Sequence, residues 1–523
     1  MNGPSAIQPE TPATGGLPDH DVLIVGAGLS GISMAAHMQM LCPQRSFVIV
    51  ERREQLGGTW DLFRYPGVRS DSDMHSLGFR FEPWVHEKSI ADGPAILDYL
   101  NRIVDERGIQ QHICFSSKVV SADWRGAEAR WHVTIENEDG RQSETTCRFL
   151  YLGSGYYDYD APYHPAFEGR EDFKGRIVHP QFWPEDLDYE GKKVAVIGSG
   201  ATAVTIVPAM AEQAAKVTML QRTPTWMGAR PSKDWIANAL RKLLPGELAY
   251  KLTRAKNIGL HSLIYKRARA KPEKVAAFLT KKLKEALGPE YSEKNFLPPY
   301  NPWEQRLCLV PDEDLFKAIR GGKAEIVTGQ IDRFTEGGIR LLNGDEIPAD
   351  IIVTATGLAL RMGGKIAIGL DGEPVDFSER WFYRGCMFSN VPNFAVVFGY
   401  LNASWTLRAD NNAEYVCRVL NLMEEKGATV AVPYLPEDHG LAEDPIYDEF
   451  SSGYIQRAKE SLPKNAATLP WRLNMDYFED RRDFRENPVD DGVLRFGRRG
   501  PFETGSQPAA SIPPQDERIR KKA

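Results

Sequence analysis

Two glycine-rich turns, each placed between a short apolar strand and a helix, predict an α/β fold with two Rossmann-like dinucleotide-binding units. A basic, helix-patterned stretch predicts a helical insertion in the second unit. The turns are Gly26-Ala27-Gly28-Leu29-Ser30-Gly31 and Gly198-Ser199-Gly200-Ala201-Thr202-Ala203. With 523 residues, 42 % of them hydrophobic and 26 % charged, the chain has the length and composition of a globular α/β protein of two or three domains.

The elements follow in order. Asp21–Val25 is an apolar, β-branched run bounded by turn glycines, the pattern of a buried parallel strand. Helical spacing runs from Ser30 to about Met40, and Phe47–Val50 is a second strand ending at Glu51. Lys193–Ile197 opens another unit of this design, with a helix to about Gln213 and a strand at Val217–Leu220. From about Trp226 to Tyr300 the periodicity is helical, and Arg230 to Lys284 holds 15 Lys and Arg against 3 Asp and Glu, a balance of +12. That charge is either a solvated basic face or a patch for a membrane surface or for NADPH. Strand character returns at Ala324–Val327 and Asp350–Thr354. The chain should then rejoin the first unit, with a strand at Phe394–Phe398 and a helix from Asn402. The expected division gives residues 19–155 and 351–500 to the first unit and 156–229 and 301–350 to the second. Residues 230–300 form the insertion, and 1–18 and 501–523 are flexible tails.

A net charge of −7 argues against a nucleic-acid binder. No run of 18 apolar residues suggests a membrane span, and the first twenty residues lack the n- and h-regions of a signal peptide. The six cysteines, Cys42, Cys114, Cys147, Cys308, Cys386 and Cys417, all lie more than thirty residues apart. That spacing argues against a disulfide framework, a zinc ribbon or a sequence-local redox dithiol. A cytoplasmic setting is expected.

In the first turn, the three glycines serve a tight bend, close approach to a pyrophosphate and close helix–strand packing. The helix N-terminus adds N–H donors. Glu51, with Arg52 beside it, falls twenty residues after Gly31, where an acid takes ribose hydroxyls. This unit reads as the FAD site. In the second turn Ala203 replaces the third glycine, and no acid follows the second strand. Arg222 and Thr223 stand there instead, and an arginine at that position pairs with a 2′-phosphate, which points to NADPH.

Two further segments carry chemistry. Gly57-Gly58-Thr59-Trp60-Asp61-Leu62-Phe63-Arg64-Tyr65-Pro66-Gly67-Val68-Arg69-Ser70-Asp71 is a glycine- and proline-stiffened loop. Trp60 offers a flat surface for a flavin edge, and Asp71 reads as a buried loop acid, either a cap or an ion-pair partner. Between the two units, Phe173-Lys174-Gly175-Arg176-Ile177-Val178-His179-Pro180-Gln181-Phe182-Trp183 forms an aromatic-ended spacer.

Together these segments resemble the paired fingerprints of the class B flavoprotein monooxygenases of Baeyer–Villiger type, through Phe173, Gly175, His179 and Trp183. Within that family the chain is most similar to the bacterial thioamide-activating branch. The residues that carry this are Phe63-Arg64-Tyr65-Pro66-Gly67, Arg306-Leu307-Cys308-Leu309-Val310 and Asn402-Ala403-Ser404-Trp405-Thr406. The resemblance implies that Gly58, Thr59, Trp60, Tyr65, Asn402 and Trp405 help bind cofactor. It implies that Arg306 is the catalytic arginine and that Asp71 orients it. It also implies that NADPH reduces FAD, O2 adds at flavin C4a, and the peroxide attacks a ketone to give an ester or lactone, or oxidises sulfur. NADP+ stays bound meanwhile. Gln305 departs from the pattern, standing where many relatives carry a lysine for the 2′-phosphate, which leaves Arg222 and Thr223 as the main contacts. His179 reads as a hydrogen-bonding linker residue rather than a catalyst, and Gly153-Ser154-Gly155 and Ala355-Thr356-Gly357 as the two interdomain linkers.

Three other readings stand beside this one. An amine or sulfide oxygenase without carbonyl insertion shares the cofactors, though Trp183, Asp71 and Arg306 favour the first reading. A pyridine-nucleotide disulfide reductase needs a paired redox cysteine that the sequence lacks. A non-enzymatic NADPH sensor would be colourless when purified. The expected partner is a small ketone or sulfur compound, with peripheral membrane contact through the basic insertion as an option. The oligomeric state is not legible in the sequence.

Overall fold

The computed structural model describes residue 17 and residues 19–305, 307–449 and 453–498. Apart from Leu17 and Asp19 onward, the segments expected as tails lie outside the described residues, and so does Arg306.

The strand His20–Val25 is fully covered from Val22 onward, as a central parallel strand must be. It lies between Phe47–Val50 and the second half of Gln142–Leu152, with Val22 opposite Phe47 on one side and Phe149 on the other. The first half of Gln142–Leu152 runs antiparallel to Arg130–Asn137, with Trp131 opposite Cys147. Arg130–Asn137 pairs in turn with Ser117–Arg125. One long strand therefore serves both a meander and the dinucleotide-binding sheet. Phe394–Val396 pairs parallel with it, Phe394 against Leu150, which returns the chain to the first sheet as the sequence pattern predicts. Nine strands make up this sheet among the described residues.

Leu29–Leu41 is the helix after the first turn, and it is buried continuously from Leu29 to Met38. The helix Trp405–Glu425 covers its outer side, and Ser33 Oγ donates to Asp410 Oδ1 across the contact at 2.9 Å.

The second sheet is all parallel, in the order Ala324–Thr328, Lys216–Gln221, Lys193–Ile197, Ile351–Thr354, Arg176–Val178. The aromatic spacer thus supplies an edge strand of this sheet. Ile351–Thr354, which the sequence division gave to the first unit, hydrogen-bonds within the second sheet, and the chain crosses back only after Thr354.

The insertion is helical, as its periodicity predicts: Trp235–Leu243, Gly246–Ala270, Pro272–Leu287 and Glu293–Phe296. It packs on the first unit as well as the second. Arg254 is buried and donates to the carbonyls of His75 at 2.8 Å and Gly78 at 2.6 Å, while Tyr250 Oη donates to the Phe79 carbonyl at 2.8 Å. No helix among the described residues is long and apolar enough to cross a membrane.

Candidate functional site

Backbone geometry makes the first turn. Gly26 sits at φ +97°, and a Cβ on Gly31 would lie 1.8 Å from the Gly26 carbonyl oxygen, so helix and strand approach too closely for any side chain. The Glu51 carboxylate reaches back to the turn and accepts from the Ala27 N–H at 2.6 Å and the Arg53 N–H at 2.9 Å. Burial pushes its carboxyl up, opposed by those two N–H donors.

The loop after the second strand closes over this turn. Gly57 N–H donates to the Ala27 carbonyl at 2.9 Å, and Gly58, at φ +56°, packs against Gly28. Asp61, a buried carboxylate, holds the loop through Arg53 Nε at 2.7 Å and through Arg64. Thr59 and Trp60 then face a cavity of about 300 Å³. Gly26, Gly28, Leu29, Ser30, Glu51, Arg52, Gly58, Tyr65, Asp71 and Trp405 line it as well, and so do Ala201 and Thr202 of the second turn. One space therefore joins the two glycine turns.

Several of these residues are fastened to one another. Trp405 Nε1 donates to Ser30 Oγ at 2.8 Å, and its ring stacks on Tyr156 with centroids 4.8 Å apart and planes at 13°. Arg52 pairs with Asp160. The Tyr65 hydroxyl hydrogen-bonds the side chain of Thr202, and burial pushes it up to about 12, so it stays protonated and ties the loop to the second turn. Two residues on, Gly67 (φ +75°) lies against that turn's helix, where a Cβ would stand 2.8 Å from Ala209 Cβ.

In the second turn Gly198 is at φ +138°, and a Cβ there would sit 2.3 Å from the Ala355 carbonyl oxygen. A Cβ on Gly200 would meet nothing within 4 Å, which leaves its approach open to a ligand. Ala203 is fully buried. Ser199 Oγ donates to the Thr223 carbonyl at 3.3 Å, and Arg222 is exposed just past the strand Lys216–Gln221. Arg222 and Thr223 do not line the shared cavity.

Asp71 departs from the sequence reading. It is exposed rather than buried, because it stands where two cavities meet. The second, about 310 Å³, shares Asp71, Ser72 and Ala403 with the first. Asn402 lines this second cavity and not the first. It donates from Nδ2 to the Met475 carbonyl at 3.1 Å.

In the spacer, Phe173 is buried, and a Cβ on Gly175 would lie 2.1 Å from the Asp350 carbonyl oxygen. Trp183 packs partly buried against the second unit's core. His179 Nδ1 accepts from the Gln181 N–H at 3.1 Å, and burial, with His164 nearby, lowers its pKa to about 4. It is a neutral group that lines neither cavity.

Sequence reasoning passed over the run Tyr156-Tyr157-Asp158-Tyr159, which lines the first cavity; Tyr159 Oη lies 3.2 Å from Thr59 Oγ1. An aromatic cluster directly after the linker glycines was the signal that could have found it.

Over residues 23–273 the chain matches the family model described as pyridine nucleotide-disulphide oxidoreductase. It is 50 % identical over 481 residues to the FAD-containing monooxygenase EthA of Mycobacterium tuberculosis, a match spanning 92 % of this chain and 98 % of that one. The chain belongs to the EthA family of FAD-containing monooxygenases. EthA of Mycolicibacterium smegmatis is likewise 50 % identical, over 91 % of this chain and 96 % of its own. Two solved structures share the monooxygenase's fold. An oxidized steroid monooxygenase bound to NADP has TM-score 0.71 at 22 % identity, covering 92 % of this chain and all of that one. An OTEMO complex with FAD and NADP has TM-score 0.65 at 23 % identity, covering 80 % and 88 %.

The residues present fit FAD. The first turn brings Gly28 to the cavity wall with its backbone open to a pyrophosphate, and Glu51 stands at the strand end with its carboxylate toward that turn. The monooxygenase has no cysteine among the residues lining the first cavity, so the disulphide reductase chemistry in the family model's description has no dithiol there. Cys42 and Cys417 do approach in the fold, Cys42 Sγ donating to the Cys417 carbonyl at 3.6 Å. Both are buried between two helices, away from the cavity.

Proposed function

We propose that this monooxygenase uses NADPH and O2 to insert an oxygen atom into ketones, giving esters or lactones, and that it also oxidises sulfur in sulfides or thioamides. The observation that carries the proposal is the junction at Asp71, Ser72 and Ala403. It sets a second cavity of small-molecule size directly against the one that fits FAD.

Bound FAD, reduced by NADPH, would supply the activated oxygen. The balance is ketone, O2, NADPH and a proton going to ester, water and NADP+. The chain's own groups do the rest. The first turn and Glu51 hold FAD, and Ser30 and Trp405 fix the cavity wall. The second turn holds the NADPH pyrophosphate, with Arg222 and Thr223 on its 2′-phosphate. Arg306, assigned from the sequence resemblance, supplies a fixed positive charge for the oxyanion that develops on the substrate carbonyl. Asp71, at the mouth between the cavities, orients it. Six free cysteines suit a cytoplasmic setting, and the basic insertion is the part of the surface that suits peripheral contact with a membrane.

The test is the Arg306→Ala variant, assayed by stopped-flow spectra and product analysis on a simple ketone. It should retain FAD yet lose ester formation, with NADPH oxidation slow or diverted to hydrogen peroxide. A normal ester yield from the variant removes Arg306 from the mechanism. No ester from the wild type, with sulfide still oxidised, replaces ketone insertion by oxygenation at sulfur or nitrogen.

A further inference from the structure

The helix Gly246–Ala270 has two faces of different character. One walls the second cavity through Ile258, His261, Ser262, Tyr265 and Lys266. Elsewhere on the same helix Leu248, Leu252, Leu260, Leu263 and Ile264 are between 41 % and 58 % exposed. From Leu248 to Ile264 is sixteen steps, about 24 Å of helix at 1.5 Å per residue. A row of large aliphatic side chains open to water is costly to keep without a counterpart and marks an interaction surface.

Charge indicates which counterpart. The helix holds one acidic residue, Glu247, against six basic ones. Arg254 is buried in the fold; Lys251 and Lys266 are exposed but pair with Glu247 and Asp476, and Arg267 and Arg269 are exposed as well. Exposed aliphatic side chains and cations on one helix suit an anionic lipid surface, where apolar groups enter the acyl boundary and cations meet the headgroups. A second copy of this chain fits poorly, since an isologous contact would set the same cations against each other.

We propose that this face docks on an anionic lipid surface and that a lipophilic ketone or sulfide passes from there into the second cavity. The route is short. His261 and Lys266 are exposed and also line the cavity, so its mouth opens beside the docked helix. The delivery step rests on the oxygenation reading above; the docking step does not.

The FAD-loaded full-length protein, with and without Leu252→Glu and Leu263→Glu together, would be co-sedimented with vesicles of phosphatidylcholine alone or mixed with phosphatidylglycerol. Neither leucine lines a cavity, and retained flavin absorbance checks that the variant is folded. The wild type should bind the mixed vesicles at least tenfold better than phosphatidylcholine alone and lose most of that binding in 0.5 M salt. The double variant should lose it at low salt while oxidising a water-soluble ketone at the wild-type rate. A long-chain methyl ketone carried in the vesicles should be oxidised several-fold faster by the wild type. No association with the anionic vesicles, or equal association of the variant, overturns the docking. So does a variant that instead breaks a wild-type dimer. Equal rates on the vesicle-borne ketone overturn the delivery. If vesicle binding behaves as described and no ketone is oxidised, docking stands and the oxygenation reading falls.

Discussion

An added Cβ at Gly31 would stand 1.8 Å from the Gly26 carbonyl oxygen, whereas one at Gly28 would meet nothing closer than Gly58 Cα at 3.6 Å. The two glycines share a turn but answer to different constraints. Gly31 is needed by the fold itself, because the obstacle is backbone that cannot yield. Gly28 has ordinary van der Waals room within the protein and lines the cavity, so its constraint is the pyrophosphate. Gly28→Ala should therefore fold with the wild-type far-UV spectrum yet bind FAD at least tenfold more weakly, about 1.4 kcal/mol or more. The flavin-to-protein absorbance ratio of the purified variant measures this. Stoichiometric FAD in the folded variant would show that the first turn does not hold the pyrophosphate.

Whole elements were legible where one physical rule governed them. Phe47–Val50 and Lys193–Ile197 match their sequence runs because a strand covered on both faces must be apolar throughout. The helices after each turn and the return strand at Phe394 followed from spacing and from the first sheet's need for more strands. The meander Ser117–Leu152 was passed over, although Asp139-Gly140, with Gly140 at φ +76°, marks the turn between its last two strands. Not legible was the packing of Gly246–Ala270 on the first unit, made by Tyr250, Asn257 and the buried Arg254, the last of which composition counts as one more solvated charge. At the site, glycines and Glu51 showed in the sequence because their spacing is fixed by backbone geometry. Asp71's position between two cavities and the tyrosines after Gly155 depend on tertiary contacts that no spacing records. The end of the strand Lys216–Gln221 carries a prediction of its own. Arg222 stands there exposed, with no acid in its place, so Arg222→Ala should raise the KM for NADPH about tenfold to a hundredfold and leave that for NADH nearly unchanged. That is the worth of a charged hydrogen bond of roughly 1.5–3 kcal/mol. Equal rises for both coenzymes would remove Arg222 from the phosphate.

At the scale of the whole molecule, the two sheets are joined by two chain crossings, and His179 stands where both meet. It follows the edge strand Arg176–Val178 and lies beside Gly357 of the return crossing. Its Nδ1 accepts from the Gln181 N–H, while the Gln181 side chain donates to the Asp158 carbonyl on the outward crossing at 2.8 Å. A proton on Nδ1 would turn that acceptor into a donor facing another donor, in a place where burial already holds the imidazole neutral. The unfolded chain takes up this proton near pH 6.5, the folded one only near 4. Between those values the unfolded state binds more protons, so stability falls as the pH falls from about 6.5 to 4 and is untouched above about 7. Two and a half units correspond to a ceiling of about 3 kcal/mol. His179→Gln has no such titration. Thermal unfolding of the FAD-loaded protein across pH 4.5–7.5 should show the wild type losing stability relative to the variant toward acid, with the two curves parallel above pH 7. Parallel curves throughout would mean that His179 titrates alike in both states and that the crossings are held together without it.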